Sequence, residues 1–148
     1  MDQLNPRPEI GLYLAITSQL YQSRIEMLLG GHDLSYSQFS LLNHLQRLGK
    51  PDSISEIAAA MEINQPGVTK VAQRLSERGL VSIDVDPSDS RKRRVAPTAA
   101  ANELLEVVSQ TLKTDAADWF TGWSDNDLAS FRDRLADLAG WLDANRLE

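Results

Sequence analysis

Between residues 35 and 97 the hydrophobic period of the chain changes once, and that change limits the possible folds more than any other feature. Up to Arg78 apolar residues recur at helical spacing, in short runs that each follow a Ser or Asn. From Val81 the period drops to two. Val81, Ile83 and Val85 alternate with Ser82 and Asp84, Asp86-Pro87-Ser88-Asp89-Ser90 is turn chemistry, and Arg91 to Val95 returns as a second strand. Three short helices, the last two joined by a tight turn, are helix-turn-helix arithmetic, and a hairpin directly after them is a wing.

The boundaries are written locally. Ser35 and Gln38 have capping-box spacing and open a helix through Phe39, Leu41, Leu42 and Leu45 to about Leu48, broken by Gly49-Lys50-Pro51. Ser53 and Glu56 repeat that spacing and start a short helix, ISEIAAAM, through Met61. Asn64 caps a fourth helix that runs through Arg78 and stops at Gly79. Upstream, Glu9 to Leu29 reads as a long helix with Ile10, Leu14, Leu20, Ile25 and Leu28 near one broad face, ended by Gly30-Gly31. Downstream, Thr98 caps a helix carrying Leu104, Leu105, Val108, Leu112 and Trp119. A turn at 121–124 then leads to a last helix with Leu128, Phe131, Leu135, Leu138 and Leu142. The expected fold class is mainly α with a small β-hairpin wing. A winged helix-turn-helix over 35–97 is flanked by long helices at 9–31 and 98–146, all within one domain of 1–148.

Composition removes several function classes. The chain has 148 residues and no cysteine, so no disulfide framework, thiol nucleophile, Cys-ligated zinc or thiol-based oxidant sensor is possible. It has no Gly-rich phosphate loop, no G-x-S-x-G and no HExxH, so an enzyme is not expected. Its two histidines, His32 and His44, have no metal-ligand spacing, and neither a metal nor a cofactor is expected. No apolar run approaches the roughly 20 residues that span a bilayer, and MDQLNPRPEI lacks the basic start and apolar stretch of a signal peptide. A soluble cytoplasmic protein without membrane partners is the expectation.

The net charge of −6 is an average over a polarised chain. Residues 64–94 hold seven basic and four acidic groups, and the remainder holds eight basic and seventeen acidic. A positive segment on a negative body favours docking on nucleic acid by that segment alone.

That segment contains the fourth helix, NQPGVTKVAQRLSER. At about 100° per residue, Val68, Val71, Ala72 and Leu75 share the face that packs inward. The opposite face presents Pro66, Lys70 and Gln73, with Thr69 beside them. A helix entering the major groove needs short groups near its N-terminus and longer basic or amide groups one turn on. Gln65 and Gln73 suit adenine edges, Pro66 a thymine methyl, and Lys70 guanine or phosphate. Asn64 and Thr69 suit phosphate, and Arg74 joins the same DNA-facing set. A polar helix face is by itself also what any solvated amphipathic helix shows. The basic run Arg91-Lys92-Arg93-Arg94 adds a second element. On a returning strand two of its side chains would point to each side, placing an arginine in a narrow minor groove while Lys92 and Arg93 hold phosphates. Asp89, two residues before Arg91, would brace the arginine or the turn.

The stretch ISEIAAAMEINQPGVTKVAQRLSERGLVSIDVDPSDSRKRRVAPT resembles the MarR family of bacterial winged-helix transcription regulators. The helix-turn-helix pattern, the RLSERGLV exit and the D-x-R of Asp89-Ser90-Arg91 before a strand carry the resemblance. LSYSQFSLLNHL is similar to the family's second helix, and the order of elements agrees over residues 9–145. The resemblance implies a homodimer with interlocked terminal helices, the 64–78 helix in the major groove and Arg91 at the wing tip in the minor groove. It also implies transcriptional control, as a repressor on a pseudo-palindromic operator released by a small, aromatic or anionic ligand between the dimer helices and the winged part. Tyr13, Tyr36, His44 and Arg47 are the candidate lining residues. Pro97 stands where the family usually has leucine and Ala101 where it has glycine, which puts the start of the fifth helix in question. Gly67 removes a side chain from the first turn of the recognition helix.

A dimer is expected on physical grounds as well. Trp119, Phe120, Trp123, Phe131, Trp141 and many leucines lie outside the winged part, which is too small to cover them. Two-fold symmetry would set two recognition helices about 34 Å apart on DNA. The alternative is a winged-helix protein-interaction module without duplex-DNA specificity. A basic wing would be unnecessary for such docking.

Overall fold

A computed structural model describes residues 5–147. Six helices and three short strands follow in the order α1 (Arg7–Gly30), α2 (Tyr36–Leu48), β1 (Asp52–Ser53), α3 (Ile54–Met61), α4 (Gln65–Glu77), β2 (Val81–Val85), β3 (Arg93–Pro97), α5 (Ala99–Ala116) and α6 (Asp125–Ala144). The mainly helical fold with a small wing is therefore present. The chain divides into two units, one through Leu112 and one from Lys113.

The first unit closes around an aliphatic core. Leu41, Leu42 and Leu45 of α2, Ile57 of α3, Val68, Ala72 and Leu75 of α4, and Val95 of β3 are all buried. Ile25 and Leu29 from the end of α1 and Ala101, Leu105 and Val108 from α5 complete it. Burying each such side chain contributes roughly 1.5–3 kcal/mol before entropy is counted. The caps hold the ends in place. Ser35 Oγ accepts from Gln38 N–H while Gln38 Oε1 accepts from Ser35 N–H, the reciprocal box that the spacing suggests. The second box is only half made. Ser53 Oγ accepts from Glu56 N–H, but Ser53 N–H donates to Asp52 Oδ1, so nothing is left for Glu56 to close.

The sheet has the order β1-β3-β2 and is antiparallel throughout. β1 is two residues long and has no sequence signature of its own; it exists because Asp52 and Ser53 pair with Val95 and Arg94. The returning strand starts at Arg93, two residues later than the expected start at Arg91. Pro97 ends it opposite Val81. Because Thr98 N–H donates toward β2, at Leu80 O (3.1 Å), an N–H on Pro97 would face the β1 side, beyond the reach of that short strand. The proline therefore removes no ladder bond. Ala101, at 0% exposure, fills its place with a methyl group, and Thr98 Oγ1 still caps α5 by accepting from Ala101 N–H.

In the second unit α5 ends at Ala116, so Trp119 lies in the turn after the helix and not on it. There Trp119 Nε1 donates to Asp115 Oδ2 (2.8 Å), and Phe120, Trp123 and Phe131 pack edge to face at 5.3 Å between neighbouring rings. Ser124 and Asp127 form a reciprocal capping box at the start of α6. None of the α6 side chains is buried.

Candidate nucleic-acid interface

α4 is shaped at both ends by residues that leave its outer face free. Asn64 Oδ1 accepts from Gly67 N–H at 2.8 Å. A Cβ at Gly67 would stand 3.1 Å from that oxygen, so glycine here protects the cap. Pro66 sits in the first turn, where a missing N–H leaves no helical bond unmade. At the other end Gly79 takes the left-handed conformation (φ 71°) and Leu80 N–H reaches back to Leu75 O, closing the helix.

Arg78 then fastens the helix end to the α1–α2 corner. Its Nη1 donates to Asp33 O (2.6 Å) and to Gln38 Oε1 (3.3 Å). Arg78 is thus a structural anchor for the helix, 45 residues away in sequence from its main partner.

Val68, Ala72 and Leu75 are buried and Val71 half-buried, as the helical period requires. On the other side Asn64, Gln65, Pro66, Lys70, Gln73 and Arg74 are exposed and Thr69 is half-buried. These residues lie on the outward side of α4 over about three turns, with the cations Lys70 and Arg74 beyond the capped first turn.

The wing turn is built by two carboxylates. Asp86 Oδ1 accepts from Ser88 N–H (2.8 Å), Ser88 Oγ (2.6 Å) and Asp89 N–H (3.2 Å). Asp89 accepts from Arg91 N–H (3.1 Å), from Arg91 Nε (3.2 Å) and, through its other oxygen, from Arg91 Nη2 (3.3 Å). Hydrogen bonds from Ser88 hold the Asp86 carboxyl below its ordinary pKa, and those from Arg91 do the same for Asp89. These bonds keep the chain in a turn through Lys92. Arg91 and Lys92 therefore lie on the turn and not on the strand, and the expectation that all four basic residues alternate across a strand is corrected to Arg93 and Arg94 alone. Arg91 stays 89% exposed with its guanidinium in a fixed fork. An exposed pair like this contributes little stability; its effect is to aim the arginine. Arg93 is exposed, and Arg94 turns back toward Asp86 (3.9 Å).

The four residues chosen for a ligand pocket go to different places. Tyr13 is 62% exposed on α1, and Arg47 is exposed in the last turn of α2. Tyr36 lies beside Tyr21, whose phenol is pushed up by burial and then by Tyr36. His44 Nε2 donates to Asp52 Oδ2 (2.9 Å), since an ionised carboxylate only accepts. Burial raises the Asp52 carboxyl, but side-chain hydrogen bonding with Glu56 and His44 and the bond from Ser53 N–H outweigh it, leaving Asp52 below its ordinary pKa. Neither Tyr21 nor Asp52 carries a sequence signal for these roles, because both partnerships join separate elements. Among the described residues no helix is long and apolar enough to cross a membrane.

A model of the MarR family matches residues 32–92, the span from the α1–α2 corner to the wing. Solved structures share the whole architecture. A MarR-family transcriptional regulator from Rhodococcus sp. RHA1 superposes with a TM-score of 0.78 at 22% identity, over 93% of this chain and 98% of that one. A mutant of Escherichia coli MarR complexed with operator DNA gives 0.73 at 19% identity, over 93% and 99%. CouR from Rhodococcus jostii RHA1, bound to p-coumaroyl-CoA, gives 0.73 at 23% identity, over 93% and 96%.

Proposed function

We propose that the chain is a MarR-family protein, on the match of that family's model to residues 32–92, and a homodimeric, sequence-specific binder of double-stranded DNA that represses transcription until a small ligand releases it. The supporting observation is the pairing of two outward elements in one unit. These are an exposed α4 face of amide and cationic side chains, and a wing turn whose Arg91 is pre-aimed by Asp89. A protein-docking module needs neither.

In this reading α4 enters the major groove. Gln65, Pro66, Lys70 and Gln73 meet base edges, while Asn64, Thr69 and Arg74 hold the backbone. Arg91 enters the minor groove, where its rigid fork costs less ordering entropy than a free side chain, and Lys92 and Arg93 contact the flanking phosphates. The long helices supply the dimer. α1 exposes Leu12 (57%), Tyr13 (62%) and Leu20 (65%), and α6 exposes Trp141 (62%) and Leu142 (54%). Apolar groups at this density on long helices are best accounted for by a second copy of the chain. The partition into a winged part over 35–97 and dimerisation helices at 9–31 and 98–146 goes with that assignment. CouR is bound to p-coumaroyl-CoA, which supports a ligand-controlled repressor here, with Tyr13, Tyr36, His44 and Arg47 as candidate contacts. A soluble, cytoplasmic working place accompanies that role.

Fluorescence anisotropy on the DNA upstream of its own gene tests the reading. Wild-type protein is expected to bind that duplex more tightly than a scrambled one, and Arg91→Glu or Lys70→Glu to abolish binding with the fold retained. Variants that bind as well as wild type would overturn the assignment of these faces.

A further inference from the structure

A polar cleft of about 470 Å³ lies at the root of the wing, apart from the outward face of α4. One wall is the α2–β1 connection and the start of α3, with Lys50, Asp52 and Glu56; the other is the wing, with Asp86, Lys92 and Arg94. Formal charges balance, three against three, but hydrogen-bonding capacity does not. Asp52 and Asp86 are engaged by the fold. Asp52 accepts from Ser53 N–H and from His44 Nε2. Asp86 Oδ1 takes three donors from its own turn.

The donors are not so occupied. The side chains of Lys50 and Lys92 make no hydrogen bond or ion pair among the described residues. Arg94 has only a marginal bond to Pro51 O (3.5 Å) and stands 3.9 Å from Asp86. A cleft with engaged aspartates and unpaired lysine donors on both walls suits acceptor atoms.

The geometry points to an oxyanion site at the wing root, in which a phosphate or carboxylate group is held between Lys50 on one wall and Lys92 and Arg94 on the other. Only the base of the wing is tied down by β1, through Asp52↔Val95 and Ser53↔Arg94, and the turn extends beyond that pairing. An anion bridging the walls fixes the turn, and with it Arg91, against the helix-turn-helix. The inference deepens the DNA-binding reading. Two sources can supply the oxygens: a phosphate of the bound duplex or a free small anion.

The test uses the full chain and inorganic phosphate, added against chloride at matched ionic strength and followed by amide chemical shifts. Saturable shifts are expected at Lys50, Ser53, Ser88 and Arg94, with at least tenfold weaker binding in Lys50→Gln and in Lys92→Gln. Both lysines are exposed, so these variants keep the fold. Absence of saturation, or saturation unchanged in both variants, overturns the site. This arm needs no DNA, so it stands or falls separately from the DNA-binding reading. The source is then read from the salt dependence of duplex binding. If a duplex phosphate occupies the site, Lys50→Gln lowers the slope of log K against log salt by about one. If a free anion does, the slope is unchanged and phosphate alters duplex affinity in wild type but not in Lys50→Gln.

Discussion

The winged part and the long helices are made from similar residues and end in opposite states. α4 has 13 residues and buries Val68, Ala72 and Leu75; α6 has 20 residues and buries none. α1 is longer still, at 24 residues, and buries only Ile25 and Leu29, both at its C-terminal end. The short helices find their apolar partners within the same chain. α1 and α6 carry leucines, isoleucines and a tryptophan that they leave largely in water, whereas α5 buries Ala101, Leu105 and Val108. The first region is complete as a fold, and the second is completed by another molecule in the proposed dimer. In the proposed reading function divides along the same line, with recognition on the finished part and assembly on the unfinished part.

Substitutions on either side of that line separate the two behaviours. The largest effect is expected from Trp141→Glu, which places a charge on the exposed apolar face of α6. A hot-spot aromatic at an interface costs roughly 2–4 kcal/mol when truncated, and a buried charge in its place costs more. Sedimentation should show the mass fall from dimer to monomer while helical circular dichroism is kept. A dimer of unchanged stability would remove α6 from the interface.

Next comes Leu75→Ala, in the closed core at 0% exposure, with a loss of about 3 kcal/mol in denaturant unfolding. The same truncation at half-exposed Leu135 should cost a monomer far less. Equal losses would erase the contrast.

Asp52→Asn should cost about 2 kcal/mol at pH 7, because it weakens the charge-assisted bonds that join α2, β1 and α3. The Asp52 carboxyl sits below its ordinary value of 3.8 in the folded protein, so its contribution is present above that value and is lost as pH falls through the folded one. Thermal melting of wild type and variant should therefore converge in acid. A gap that stays constant to low pH would show that the charge of Asp52 contributes nothing.

The smallest effect is expected at the recognition helix, where Asn64→Ala should cost about 1 kcal/mol through loss of the cap on Gly67 N–H. Melting temperature checks it, and no change would mean that solvent satisfies the helix start equally well.

Local chemistry was readable in the residues and non-local pairing was not. The caps at Ser35, Asn64 and Thr98, the stop at Gly79 and the inward face of α4 each depend on residues within a few positions, and each has the expected geometry. β1 was invisible because two residues carry no period, and only pairing with β3 makes them a strand. The basic run looked like four strand positions because charge hides the turn that Asp86 and Asp89 impose on Arg91 and Lys92. Ser53 and Glu56 have box spacing, yet neighbouring Asp52 takes the Ser53 N–H first. The bond from His44 to Asp52 and the anchor from Arg78 to Asp33 join separate elements and carry no local sequence signal.

The most direct test of the whole account is selection of bound duplexes from a randomised library by the full-length protein. The account predicts enrichment of a pseudo-palindrome with half-sites about 10 base pairs apart, because specificity comes from α4 and two-fold spacing from the long helices. A single enriched half-site would contradict the assignment of α1 and α6 to dimerisation. No enrichment over the starting library would contradict sequence-specific DNA recognition itself.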